Sequence, residues 1–452
     1  MGFHLLKESI SSSKRDFNDE EILLRADALF NAEKSQDLRG AIAQKIEELR
    51  HYDVLAMDRV VAILAWGRSG SILLASYLDG HEDVIGLPEL CGWKLYEFFD
   101  RYQSLPLSDK LLAYPAYEPD YTRFFEGDFA ISSVGYYAAV QSIVEFYRDW
   151  PLDFRESRKA FFIFLHIAYS LALGRRPVSS HPLIVYAEHL HDNVTAKHLV
   201  EDFPRAKFVH TIRDPITTCD RTFQHFLPFA DRNIALPYSV LDSLVGDDRP
   251  QFGMESRTLA IRFEDLHSDT ERTIRGLCNW LGLRHQVTLL ESTFNGTPYV
   301  VTRDGKTWSG QRLDQAQRRS RQLSLKDRAL LFALFYENFT EWGYPFPRLF
   351  VHRTIRFIVF ISLFLLPMKM ELVNARAAFE RRILPTLRQG NVLTAIKFLF
   401  GIGFCRLEMI SLLVPVFIRR GGCRTRLLKT DLSARRLGRP YDGTMRALTT
   451  ET

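Results

Sequence analysis

Apolar residues follow two rhythms along this chain. Recurrence every three or four positions predicts a helix, whereas four to eight apolar residues between turn residues predict a buried strand. Residues 1–58 keep the first rhythm. Asp16 and Asn18 can cap a helix reaching Phe30, and "LRGAIAQKIEELRHY" places good helix formers at helical spacing. At Arg59 the pattern changes. "RVVAILAW" is a short strand-like run, "GRSGS" interrupts it, and "SILLASYLD" resumes as a helix for which Gly80 is the expected C′ glycine. Further on, "PLIVYAE" (182–188), "AKFVHTI" (206–212) and "TLAIRFEDL" read as strands. "NVTAKHLVEDFP" and "DTERTIRGLCNWLGL" read as helices between and after them. Buried runs alternating with helices predict an α/β fold: a central parallel sheet flanked by helices, with helices before it and a helical appendage after it.

The stretch from about 90 to 180 is aromatic-rich and mostly helical, placed to shape a substrate cleft. Trp93, Tyr96, Phe98, Phe99, Tyr136 and Tyr137 lie there, and core filling is the expected use of most of them. After Pro347 the pattern changes again. "FIVFISLFLLPM" (357–368) and "MISLLVPVFI" (409–418) are uncharged but short of the ~20 residues that span a bilayer. Basic residues border both. These boundaries divide the chain into helical residues 1–58, a catalytic-sized domain at 59–347, a basic hydrophobic region at 348–430 and a disordered tail at 431–452.

Charge sharpens this division. The net charge is +5, yet residues 351–440 hold 17 Lys and Arg against 4 Asp and Glu, a balance of +13. The remainder therefore carries 5 − 13 = −8. A mildly acidic body with a basic, apolar end argues against a nucleic-acid binder. It fits helices lying on an anionic membrane surface, or a subdomain packed on the body with a basic outer face. Cys91, Cys219, Cys278, Cys405 and Cys423 form no CxxC pair, which suggests reduced thiols and a cytoplasmic chain, with peripheral attachment to the cytoplasmic membrane. The first residues show no apolar run of signal-peptide length, and Leu6 stands where a myristoylation motif wants Ser or Thr.

The interruption Gly67-Arg68-Ser69-Gly70-Ser71 is the main chemical signal. A tight turn from strand to helix aims backbone N–H groups and a helix N-terminus at one point, which suits an anion. The glycines allow close approach, the serines add hydroxyls, and Arg68 adds a planar fork of donors. The triphosphate version, GxxxxGK[ST], is absent, because the Lys is missing and the loop is too short. That argues against a kinase or ATPase. Four segments then resemble a known family. "GRSGSILLASYLDGHEDV" is similar to the 5′-phosphosulfate loop of sulfotransferases that use 3′-phosphoadenosine 5′-phosphosulfate (PAPS). "FPRAKFVHTIRDP" resembles their strand leading into Arg-Asp-Pro. "IRFEDLHSDTERTIRGLCNWLGL" is similar to a later segment of bacterial and glycan- or tyrosine-type members, and "TRDGKTWSGQ" to the late loop that closes over the nucleotide. All four stand in family order.

The resemblance implies a P-loop-like sulfotransferase fold and residue roles. Gly67, Arg68, Ser69, Gly70, Ser71 and Ile72 would hold the 5′-phosphosulfate, with Arg68 at the transferring group. Arg213 would hold the 3′-phosphate. The family serine eight residues further on is Arg221 here. Arg221 can act as a substitute cation, Thr217, Thr218 or Thr222 can supply the hydroxyl, or Arg221 can be a solvated helix residue. Arg303, Gly305 and Lys306 would add phosphate contacts, or form a basic surface loop. The base that deprotonates a hydroxyl acceptor is Glu89 or a histidine of "EHLH", His189 or His191. Sulfuryl transfer by in-line displacement needs no metal, and His198 with that pair lacks a metal-ligand helix motif. Asp79 and His81 are expected to tie down a helix end. The acceptor implied is a hydroxyl of a glycan, lipid-linked or small molecule. The alternative is a non-catalytic nucleotide-binding protein or membrane adaptor that retains the fold.

Overall fold

In the computed structural model the described residues are 17–34, 36–65, 69–88, 91–117, 123–188, 193–229, 240–241, 255–303, 306–312, 323–419 and 426–428. Five strands, β1 (Val60–Ala65), β2 (Val84–Gly86), β3 (Leu183–Glu188), β4 (Lys207–Ile212) and β5 (Thr258–Arg262), pair in parallel in the order 5-4-1-3-2. A short sixth strand at Arg426–Leu427 pairs in parallel outside β5. All six residues of β1 are buried, and they alternate between two cores. Val60, Ala62 and Leu64 face one core; Val61 and Ile63 face the other. A strand buried on both sides has no polar face, which is why it reads as a continuous apolar run.

Helices cover both faces. On one side α1 (Asp19–Lys34), α2 (Arg39–Leu49), α4 (Leu95–Arg101), α5 (Leu107–Tyr117), α6 (Ser133–Phe146) and α7 (Arg158–Ala172) build an aromatic core. Tyr96, Phe98, Phe99 and Tyr136 are buried in it, as core filling requires, while Trp93 and Tyr137 are half-buried. On the other side α3 (Ser71–Leu78) and α11 (Thr270–Leu281) close the second core. Between them in sequence lie α8 (Asn193–Asp202), α9 (Pro215–Phe226) and α10 (Phe263–Ser268).

Three local expectations change. The first helix runs to Lys34 across a kink at Phe30; Asn18 caps it, accepting from the Glu21 N–H at 2.9 Å while its own N–H donates back to Glu21. Gly80 does not take the left-handed C′ conformation. It is glycine because a Cβ there would stand 3.0 Å from the carbonyl oxygen of Thr288. The run "TLAIRFEDL" stops being strand at Arg262, where the Asp265 carboxylate, three positions on in a helix, receives the Arg262 guanidinium at 2.8 and 2.9 Å.

Beyond the sheet, α12 (Leu325–Leu334), α13 (Tyr336–Glu341), α14 (Arg353–Leu365), α15 (Lys369–Ala378), α16 (Leu384–Arg388) and α17 (Val392–Arg419) follow. Phe360, Met368, Met370, Met409, Leu413 and Phe417 share a third core with Ile212, Cys219 and Ala260, so this region packs directly on the β4–β5 side of the sheet. Among the described residues no helix is long and apolar enough to cross a membrane.

Candidate functional site

The chain leaves β1 towards β2 on one side of the sheet and leaves β4 towards β5 on the other. Between these diverging connections, at the carboxyl ends of the strands, parallel α/β sheets open a crevice for ligands. The Ser69–Ser71 segment and Arg213 stand at its two lips. Ser69 is buried and donates its hydroxyl to the Thr211 carbonyl at 2.5 Å, with the Thr211 Oγ1 at 2.9 Å. Thr211 Oγ1 in turn donates to the Leu64 carbonyl at 3.1 Å. The turn is thus tied to β4 as well as to β1.

Gly70 precedes α3 with φ +92°, a conformation open to glycine and costly for other residues. A Cβ at Gly70 would stand 2.6 Å from Cδ2 of Phe263. The same ring carries Arg213, whose guanidinium carbon lies 4.1 Å from the ring centroid. Arg213 is buried. One aromatic ring therefore seats both the strand–helix turn and the arginine that ends β4. Sequence reading missed Phe263, since its signal, an aromatic directly after a strand, is indistinguishable from one more strand residue.

Behind Arg213 lies a buried polar cluster. Glu264 accepts from the Asp214 N–H at 3.2 Å and from the Tyr344 hydroxyl at 2.8 Å. Asp214 caps α9, accepting from the Thr217 N–H at 2.7 Å and from the Thr217 hydroxyl. Burial pushes the Glu264 and Asp214 carboxyls above their ordinary values, and the Arg213 charge works against that rise in both. Arg262 also donates to the Trp342 carbonyl at 3.2 Å, which locks α13 to the end of β5. Further along α9, Arg221 is half-buried. The hydroxyls of Thr218 and Thr222, one turn apart on a helix face, are buried without a hydrogen-bond partner. Thr217 is committed to Asp214.

The residues after the late hairpin reach His267, which packs on the same ring. Val300–Arg303 and Lys306–Ser309 form an antiparallel hairpin ending in the pair Arg303 and Lys306, while Gly305 lies outside the described residues. After it, Gln311 donates to the His267 carbonyl at 2.7 Å and the Arg312 N–H donates to His267 Nδ1 at 3.0 Å. The His267 ring packs edge-on against Phe263 with centroids 4.4 Å apart. Three of the four motif segments thus meet on α10.

Gly67, Arg68, Glu89, His189 and His191 lie outside the described residues. His198 is described and belongs to an ion cluster of α4, α7 and α8, with Asp100 at 2.9 Å and Arg158 beside it. Among the described residues no group of three or more His, Cys, Asp or Glu side chains has the geometry for a metal ion. Asp79 receives Arg175 through both carboxylate oxygens at 2.8 and 3.0 Å, and His81 Nε2 lies 2.9 Å from the Arg284 carbonyl. Both tie down the end of α3.

The fold is thus a parallel α/β sheet with a glycine turn and a buried arginine at its switch point. A family model described as "Sulfotransferase family" matches residues 61–286, half of the chain. The chain belongs to the sulfotransferase family. Among solved structures it is similar to the sulfotransferase domain of the olefin synthase of Synechococcus PCC 7002, at 20% identity and TM-score 0.32, covering 58% of this chain and 83% of that one. A sulfotransferase domain from the curacin biosynthetic pathway matches at 16% identity and TM-score 0.29, covering 52% and 77%. A sulfotransferase from Mycobacterium avium matches at 14% identity and TM-score 0.30, covering 64% and 79%. The search of curated proteins found no match.

Proposed function

We propose that this chain moves a sulfuryl group from PAPS to a hydroxyl of a glycan, lipid-linked or small-molecule acceptor in the cytoplasm. The observation that carries this reading is the seating of Gly70 and Arg213 on the one ring of Phe263. PAPS has two separated anionic groups, and a donor of that shape calls for two anion sites held at a set spacing. One feature fits such a donor: the unpartnered buried hydroxyls of Thr218 and Thr222 on the helix that follows Arg213.

When bound, PAPS supplies a sulfuryl group already activated on a phosphate. In this reading Gly67 to Ile72 and the N-terminus of α3 bind its 5′ end, and Arg68 offsets the charge that develops on the leaving phosphate. Arg213 binds the 3′-phosphate, with Thr218 or Thr222 in place of the family serine and Arg221 as a second cation. Arg303, Gly305 and Lys306 close the hairpin over the nucleotide. Glu89 or His189 takes the proton of the acceptor hydroxyl.

The test is transfer of labelled sulfate from PAPS into acceptor extracts, read by mass spectrometry. Transfer that vanishes in Arg68→Ala and Glu89→Ala supports the reading, and loss in His189→Ala instead moves the base to the histidine. Tight binding of adenosine 3′,5′-bisphosphate without turnover on a broad acceptor panel favours a non-catalytic binder.

A further inference from the structure

The last long helix, α17, is apolar on two sides. Ala395 is buried, and Met409, Leu413 and Phe417 point into the third core. On the opposite side Leu393, Ile396, Phe400, Phe404 and Leu407 are exposed, Phe400 by 75%. At 100° per residue these five fall within one narrow stripe, and Ile418, also exposed, continues it over a length of roughly 38 Å. The neighbouring α14 adds exposed Phe357 and Ile358, and the Phe357 ring lies 6.4 Å from that of Phe417, next to Ile418. Exposed apolar surface on this scale marks an interaction site.

Charge selects the occupant. From Arg381 to Thr430 the chain has 10 Lys and Arg and one acid, Glu408. Lys397 is exposed beside the stripe, Arg388 is exposed at the end of α16, and Arg353 is exposed at the start of α14. A second copy would bring the same excess of positive charge against it. An apolar stripe with basic flanks suits the boundary of acyl chains and anionic headgroups. We propose that the outward faces of α14 and α17 dock this chain on an anionic lipid bilayer, with the stripe in the interface and Arg353, Arg388 and Lys397 at the headgroups. The docking does not depend on which donor or acceptor the catalytic site takes.

Flotation of the full chain with phosphatidylcholine vesicles, with and without phosphatidylglycerol, tests this. Binding is expected only with the anionic lipid and weakens with added salt. Phe400→Ser with Leu407→Ser, and separately Arg388→Glu with Lys397→Glu, should each lower partitioning about tenfold or more. All these positions are exposed, so the thermal unfolding transition should not move. Failure of the wild-type chain to float overturns the proposal. So does equal binding to neutral vesicles with no response to the charge reversals. Light scattering that shows a dimer broken by the serine pair would assign the face to self-association instead.

Discussion

The hydroxyl of Ser69 reaches across the crevice and donates to the carbonyl of Thr211, so β1's loop is fastened to the end of β4 by a side chain. A serine in such a loop is expected to offer its proton to a phosphate. Here that proton is spent inside the protein.

Ser69→Ala should therefore cost stability before it costs affinity. Losing one buried hydrogen bond predicts a destabilisation of about 1–2 kcal/mol. Urea unfolding measures it, and calorimetry with adenosine 3′,5′-bisphosphate should show a smaller change in binding.

At Gly70 two penalties combine. Alanine would hold an unfavourable φ of +92° and drive its Cβ into Phe263 at 2.6 Å. Gly70→Ala should destabilise by about 2–3 kcal/mol or displace the ring. Phe263→Ala removes the clash but also costs about 3–5 kcal/mol of buried ring packing, so the double variant should be destabilised by less than the sum of the two single variants. It should also weaken nucleotide binding, because Arg213 loses the ring that seats it.

Glu264 offers a pH test. Its carboxyl is raised in the folded state by burial, with Arg213 opposing. An acid raised on folding favours the native state most below its unfolded value, 4.5, and that advantage is lost as pH rises through the folded value. The Glu264→Gln variant does not titrate. The stability of wild type relative to Glu264→Gln should therefore fall as pH climbs from about 4.5, as read from urea midpoints across the range.

His166 gives the opposite sign. Buried in α7, with Nδ1 2.7 Å from the Phe162 carbonyl, it is pushed down from 6.5 to about 4 by burial. Its stabilising contribution is complete above pH 6.5 and is lost as pH falls towards about 4, because the unfolded chain takes up the proton first. In His166→Gln the acid limb of the stability profile should be shallower over that window.

The strands were legible because burial on both faces removes every polar position, and β1, β3 and β4 all begin and end within a residue or two of their apolar runs. Arg213 was legible for a related reason, since a charge directly after such a run marks the carboxyl end of the strand. Phe263 and Tyr344 were not. Each owes its place to a partner far away in sequence, Gly70 and Glu264 respectively, and local pattern has no access to that pairing. Gly80 shows the same limit: a glycine after a helix suggests a cap, yet here it is the carbonyl of Thr288 that requires it.

The two-residue strand Arg426–Leu427 lies outside β5, and the Leu428 N–H donates to the Ala260 carbonyl at 2.8 Å. A sheet's last strand otherwise presents a ladder of unmet donors and acceptors that any extended chain can complete. By returning after α17, the polypeptide supplies its own final rung there. Cutting it before residue 426 would turn a finished border into an adhesive one, and the truncated protein should be recovered as aggregates where the full chain stays dispersed.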